Sequence, residues 1–342
     1  MREYWLFYTK RSFVIFFVRE YIVFFLIFKP VFVRWTKRGR PFFTEWGIFT
    51  LSADLHCHTK LSDGSLGIEE LINLAVKNNV DTIAITDQDC LAGTVRGKIL
   101  GERNGIKVIP GAELSSIDSE TGTQVHILAY CCEYPDRIEG LCHYNSAARK
   151  KAGQYMMLKC AQKYPVNAEL VLKCAQGSTN LYEQHIMLAL MHSGCTNEIY
   201  GELYEKLFNK DSEENILVTP KFADTQKVIK AVLDAGGIPV LAHPILYGNT
   251  AIIDRLISYG LAGIEVWHPT CSEADENRLI DIARKNKLLM TGGSDFHGMY
   301  NRGCRTLGDH VTPQAHLSEL LNYKTKMKRL QKKMAAVKQA AE

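Results

Sequence analysis

The sequence contains no Cys-x-x-Cys pair, although ten cysteines are scattered between Cys57 and Cys304. That spacing excludes a zinc ribbon, and a chain of 342 residues is not a small disulfide-stapled scaffold. The cysteines are read as reduced thiols of a cytoplasmic protein. Long apolar runs are also missing. Arg19, Glu20 and Lys29 interrupt the apolar stretch Phe13–Val33, whose longest uncharged run is Tyr21–Phe28. A bilayer span needs ~20 such residues. No small-residue cleavage site follows a clean apolar core, so no secretory signal is expected. No internal repeat is present. Phe and Trp are scarce beyond position 50, because eleven of the fourteen Phe and three of the four Trp precede it.

Neither charge sign dominates overall, yet the net +4 is unevenly placed. Residues 1–50 carry +6, residues 317–342 carry +5, and the stretch between them carries −7. An acidic body with basic ends does not suit a protein that coats long nucleic acid. It suits a site that gathers divalent cations. Two readings stand for residues 1–50. One is a membrane-associating leader helped by Lys37, Arg38 and Arg40. The other is a start codon placed upstream of a domain that begins near Leu51.

From Ser52 onward, strand-like and helical patterns alternate. Strands are expected at Ala53–His58, Thr82–Thr86, Lys107–Glu113, Gln124–Cys131, Ile238–His243, Gly263–His268 and Leu288–Asp295. In Ile68–Asn78, Leu71, Ile72, Ala75 and Val76 share a helical face, as Val228, Val232 and Leu233 do in Thr225–Ala235. This alternation predicts an α/β fold with a parallel sheet or a βα barrel. The barrel is expected over 51–132 and 223–316. Residues 133–222 read as an all-helical insertion, in which Asn197–Asn209 carries Ile199/Leu203/Leu207 and Tyr200/Tyr204/Phe208 at four-residue spacing. Leu317–Glu342 reads as a basic terminal helix.

Polar residues collect where the expected strands end. In Asp54-Leu55-His56-Cys57-His58, alternate residues of a strand face one side, so both imidazoles project together and Cys57 faces away. Asp63 lies in the loop beyond. Ile83–Thr86 runs into Asp87-Gln88-Asp89, Val108–Ala112 into Glu113, and Gln124-Val125 into His126. Ile238–Ala242 ends in His243, and Leu289–Ser294 ends in Asp295-Phe296-His297. Nitrogen and oxygen ligands at successive strand ends are where barrel active sites are built.

These motifs, with Pro110-Gly111-x-Glu113, Ala242-His243-Pro244 and Gly293-Ser294-Asp295-Phe296-His297, resemble those of the PHP superfamily, the polymerase and histidinol phosphatase metallophosphoesterases. The resemblance runs from about Leu51 to Gly308. It is nearest to the stand-alone nucleoside 3′,5′-bisphosphate phosphatases and short-RNA exonucleases that carry a helical insert. It implies a distorted seven-stranded, TIM-like βα barrel. It also implies two to three divalent ions: manganese, zinc or iron, with magnesium conceivable at the third site. His56, His58, Glu113 and Asp295 would hold the first. Glu113, His126 and His243 would hold the second, and Asp63, position 88 and His297 the third. Relatives usually carry His at position 88, where this chain has Gln88, a neutral and weaker ligand for a transition metal.

The implied reaction is hydrolysis of a phosphate ester by a hydroxide held between two ions, with Glu113 and Asp295 as the catalytic carboxylates. Small nucleotides or short oligonucleotides are the implied substrates. The alternatives are another phosphatase substrate, such as histidinol phosphate, or a metal-binding regulatory protein with little turnover. Candidate substrate contacts are Asn145 and Arg149, one helical turn apart, together with His185, His268 and Arg302. Asn145 and Arg149 also fit an ordinary surface helix, and His185 fits a structural helix position.

Overall fold

The computed structural model describes residues 52–341 and, ahead of them, the strands of residues 14–45, in two compact units that divide after Thr50. In the first unit, β1 (Val14–Val18), β2 (Tyr21–Leu26), β3 (Lys29–Trp35) and β4 (Pro41–Glu45) pair antiparallel in sequence order. Lys37, Arg38, Arg40 and Leu51, on which the two readings of the leader turn, lie outside the described residues.

The second unit is built on seven strands: β5 (Ala53–Cys57), β6 (Thr82–Ile85), β7 (Lys107–Ile117), β8 (Gln124–Tyr130), β9 (Ile238–Leu241), β10 (Gly263–Trp267) and β11 (Leu289–Gly292). Their spatial order follows the chain. The ring is drawn together after β11, where Phe296 N donates to His56 O at 3.2 Å and His58 N donates to Phe296 O at 2.9 Å. Every residue of β6, β9 and β11 is buried. Two covered faces explain why these strands read as continuous apolar runs rather than alternating ones.

The barrel is not wholly parallel. β5, β6 and β7 are parallel to one another, as are β9, β10 and β11, but β8 runs against both β7 and β9. The connection from Ile117 to Gln124 is too short for a crossover helix, so the chain must turn back as a hairpin. The pairing also extends β7 to Ile117, beyond the expected end at Glu113. The reversal sets the start of β8 beside the carboxyl ends of the parallel strands, at the barrel mouth.

Helices pack around this frame. α1 (Ile68–Lys77) buries Ile68, Leu71, Ile72 and Ala75, and Gly67 N donates to Glu70 Oε2 at 2.6 Å to cap its start. α2 is Thr94–Asn104. α3 (Asp136–Lys163), α4 (Ala168–Cys174), α5 (Glu183–His192) and α6 (Glu202–Phe208) follow β8. They share an apolar core around Met157, Cys160, Val171, Ile186, Leu190 and Leu207. Only Glu202–Phe208 of the stretch 197–209 is helical, with Gly201 at its N-cap. α7 (Thr225–Asp234), α8 (Ile253–Ser258) and α9 (Glu273–Asn286) alternate with the later strands, and α10 spans Gln314–Ala341.

Candidate metal centre

The centre begins on β5. His56 and His58 are both fully buried. Cys57, between them, faces the other way into the core beside Ile83, Ile85 and Phe296, where burial pushes its thiol pKa up. Gly293 lets the chain after β11 approach this strand, because a Cβ there would stand 2.4 Å from His56 N. Gly64 serves the turn carrying Asp63, since a Cβ at that position would stand 2.6 Å from His58 O.

Glu113 lies at the middle. Its Oε1 is 2.7 Å from His126 Nδ1, 2.8 Å from His243 Nε2 and 3.7 Å from His56 Nε2, and its Oε2 is 3.4 Å from His58 Nε2. Asp295 faces the same pair from the turn after β11, with Oδ1 3.5 Å from both His56 Nε2 and His58 Nε2 and 3.0 Å from His297 Nε2. On the outer side, Asp63 Oδ1 lies 3.2 Å from His58 Nδ1 and 3.6 Å from His297 Nδ1. His58 and His297 stack with ring centroids 4.1 Å apart. His243 and Asp295 hold left-handed backbone, with φ of 27° and 50°. Such strain persists where surrounding contacts fix it, and it clusters at functional sites.

The donor set fits divalent cations. His56 Nε2, both ring nitrogens of His58, Asp63 Oδ1 and His243 Nδ1 are buried without a hydrogen-bond partner. Buried polar atoms without partners are costly, and several aimed into one cavity fit ligands of an ion. Four groups bring their donor atoms within 4.8 Å of one another: His56, His58 and Asp295; His56, Glu113 and His243; His58, Asp63 and His297; and His56 with Glu265 and His268 behind it. Burial alone would lower the pKa of His56, but Glu265, Asp295 and Glu113 outweigh it and raise it well above the usual range. His58 is likewise pushed up to about 10, with Asp63 as the foremost opposing charge. Burial would raise Glu113 and Asp295, yet the surrounding imidazoles hold both well below the carboxylate range. Protons therefore hold this cluster of opposite charges together, and a cation can displace them.

The PHP domain family matches residues 54–237. The chain is 34% identical over 253 residues to phosphoribosyl 1,2-cyclic phosphate 1,2-diphosphodiesterase of Eggerthella lenta, covering 73% of this chain and 95% of that protein. The chain belongs to the PHP domain family. It is also 27% identical over 255 residues to a 5′-3′ exoribonuclease of Haemophilus influenzae, covering 72% of this chain and 90% of that protein. A solved chain from Bifidobacterium adolescentis, assigned as a metal-dependent phosphoesterase, superposes with a TM-score of 0.72 at 29% identity, covering 79% of this chain and 95% of that one. Family and fold together make the chain a metal-dependent phosphoester hydrolase.

Around this PHP centre the remaining candidates take varied places. Gln88 turns its amide nitrogen to Ser115 Oγ at 2.8 Å and to the Glu113 carbonyl at 3.3 Å, so that group is committed to β7. Asn145 donates to Asp89 Oδ1 (2.8 Å) and Ser115 O (2.6 Å) and accepts from Ala223 N (3.1 Å). Its amide thus fastens α3 to the barrel. Arg149 pairs with Asp89 Oδ2 at 3.0 Å and lies over the Tyr182 and Phe222 rings. His185 Nδ1 accepts from Tyr182 N at 3.2 Å, capping α5. Arg302 donates to Tyr204 OH at 2.5 Å and lies over Tyr200 and Tyr204, joining a barrel loop to α6. His268 is wholly buried, with Nε2 3.4 Å from Asp295 Oδ2.

Sequence reasoning missed several groups. Glu265 is wholly buried on β10, with Oε1 3.0 Å from His56 Nδ1 and Oε2 2.8 Å from His243 N. Its signal was a lone carboxylate within the apolar run of Gly263–Trp267, which needs a partner when buried. Asp54 accepts from Ser294 N and Oγ and from Gly308 N, tying the last strand to the first. Asp87 accepts from Thr59 N, Thr59 Oγ1 and Ser62 Oγ and so braces the loop that carries Asp63.

Proposed function

We propose that the protein hydrolyses phosphate esters of small nucleotides or phosphorylated riboses, including short oligonucleotides. The observation that carries this reading is the position of Glu113, within 3.7 Å of imidazole nitrogens from His56, His58, His126 and His243. One carboxylate facing four imidazoles suits a bridge between two ions. His56, His58, Glu113 and Asp295 would hold one ion, and Glu113, His126 and His243 the second. His58, Asp63 and His297 form a weaker third place. Imidazole-rich sites favour manganese, iron or zinc, and magnesium suits the third place least poorly if waters complete it.

Bound divalent ions supply water activation and charge neutralisation at the phosphorus. The chain's own groups orient and shield that chemistry. His243 and His126 hold Glu113 from one side, and Asp295 faces the β5 imidazoles from the other. Tyr247 stands edge-on to His126 and His243, with centroids 5.2 and 5.4 Å away, and walls that side of the cleft. Arg305, 3.4 Å from Asp295 Oδ2, and Arg149 add positive charge at the rim for an anionic ester.

The 34% identity to a cyclic phosphate diphosphodiesterase favours a ribose phosphate ester among the possible substrates. The free cysteines fit a reducing compartment such as the cytoplasm. No described helix is long and apolar enough to cross a membrane. The test is phosphate release from a ribose 1,2-cyclic phosphate, nucleoside 3′,5′-bisphosphates, mononucleotides, short RNA and histidinol phosphate, with and without added manganese. Metal-dependent turnover of a ribose-containing ester is the expected result. Turnover of histidinol phosphate alone would overturn the substrate assignment, and no turnover with full metal content would favour a binding protein.

A further inference from the structure

Glu265 and His268 form a fourth group with His56, but Glu265 meets the ring on Nδ1, away from Glu113 and Asp295, and it also touches His243. It sits inside β10 with no exposed surface. Its Oε1 lies 3.0 Å from His56 Nδ1, and its Oε2 accepts the backbone N–H of His243 at 2.8 Å. His56 comes from β5 and His243 from the turn after β9. We infer that Glu265 is a positioning residue that sets the first two ion sites together, by fixing the tautomer of His56 and the backbone of His243.

An ionised carboxylate only accepts hydrogen bonds, so the His56 ring must present Nδ1–H to it. That leaves Nε2 directed between Glu113 and Asp295 as the atom that would meet an ion, and Nε2 is buried without a hydrogen-bond partner. A ring held in this way has one orientation before an ion arrives, and it keeps Nδ1–H as its one tautomer once the ion displaces the Nε2 proton. At His243 the backbone adopts φ of 27°, and the bond from its N–H to Glu265 helps hold that turn. The held turn brings His243 Nε2 to 2.8 Å from Glu113 Oε1. A single side chain therefore positions one ligand of each ion. Both donors require acceptors, which glutamine cannot supply. Its one carbonyl oxygen serves either His56 or His243, and its NH2 then opposes the other N–H.

The inference rests on the two-ion reading above, so metal binding is read separately from turnover. Manganese binding to metal-free protein is followed by electron paramagnetic resonance for wild type, Glu265→Gln and Asp63→Asn. Glu265→Gln should weaken both of the first two binding steps by roughly 10–100-fold. At saturating manganese it should regain most of kcat with an unchanged KM, because Glu265 touches no substrate. Asp63 faces His58 but neither His126 nor His243, so Asp63→Asn should leave the second ion's step intact. Binding curves of Glu265→Gln that match wild type, or a loss confined to one ion, would overturn the inference. A wild type that binds no manganese would instead defeat the two-ion reading. If Glu265→Gln does not fold, wild-type protein loaded with zinc provides the test. Its 15N-histidine spectrum should show a slowly exchanging, downfield Nδ1–H on His56. A freely exchanging His56 Nδ1–H would contradict the inference.

Discussion

His268 Nε2 lies 3.4 Å from Asp295 Oδ2, on the carboxylate oxygen opposite the one that faces His56, His58 and His297. His268 Nδ1 lies 2.7 Å from Thr270 Oγ1 and 3.2 Å from Thr270 N, and where it accepts from both, the ring proton lies on Nε2. His268 thus steadies a metal-facing carboxylate from behind. His268→Ala leaves Arg305, at 3.4 Å, as the outer partner of Asp295. Metal affinity should fall by roughly 10-fold or more while KM stays level. A raised KM with unchanged metal affinity would return His268 to the role of a substrate contact.

Gln88 carries the next prediction. Its amide nitrogen is committed to Ser115 and the Glu113 carbonyl, while His58, Asp63 and His297 converge without it. Wild-type protein should hold two ions firmly and a third loosely. Gln88→His offers an imidazole to the third place and should raise metal content toward three per chain. Metal analysis after extensive dialysis checks this. If the Ser115 bond is the whole role of position 88, metal content will stay fixed and stability will drop by about 1 kcal/mol.

Asp54 governs closure of the barrel. Its buried carboxylate accepts Ser294 N at 2.9 Å, Ser294 Oγ at 2.5 Å and Gly308 N at 2.8 Å. Asp54→Asn keeps the shape but replaces one acceptor by a donor that faces other donors. Stability should fall by about 1–3 kcal/mol. Denaturant unfolding of metal-free protein measures the loss without contribution from bound ions, and an unchanged midpoint would refute this role.

His185 gives the fold an acid sensitivity away from the metal centre. Burial lowers its pKa from 6.5 to about 4, and its Nδ1 must stay unprotonated to accept Tyr182 N–H. The unfolded chain binds this proton below about pH 6.5, whereas the folded chain resists it until about pH 4. Stability is complete above pH 6.5 and falls as pH drops toward 4, by on the order of 3 kcal/mol in all. His185→Gln keeps an acceptor at the capping position without titrating. Its unfolding midpoint should vary less with pH across this window than that of wild type. Equal pH dependence of the two proteins would contradict the assignment.

Much of the centre was legible from spacing. His56 and His58 fall on one face because a strand alternates, and Glu113, His243 and Asp295 follow apolar runs that end at the barrel mouth. The reversal of β8 was not legible as such, although the short link between Ile117 and Gln124 carries its cause. His126 thus reaches the mouth from the beginning of a strand rather than its end. Glu265 escaped, and His268 was read only as a candidate substrate contact, because their contacts are with neighbours distant in the chain, His56, His243 and Asp295. Asn145 and Arg149 were correctly placed on one helix. Their bonds to Asp89 and Ser115 arise from the docking of α3 on β7, which local pattern does not specify.

The two-ion reading turns on Glu113, whose carboxylate faces ligands from both principal ion groups. The most direct measurement is the metal content per chain of wild type and Glu113→Gln, determined on the same preparations with their circular dichroism spectra. Wild type should hold two ions tightly and the folded variant should lose both, with phosphoesterase activity lost in parallel. A folded Glu113→Gln protein that retains wild-type metal content and rate would contradict the two-ion reading.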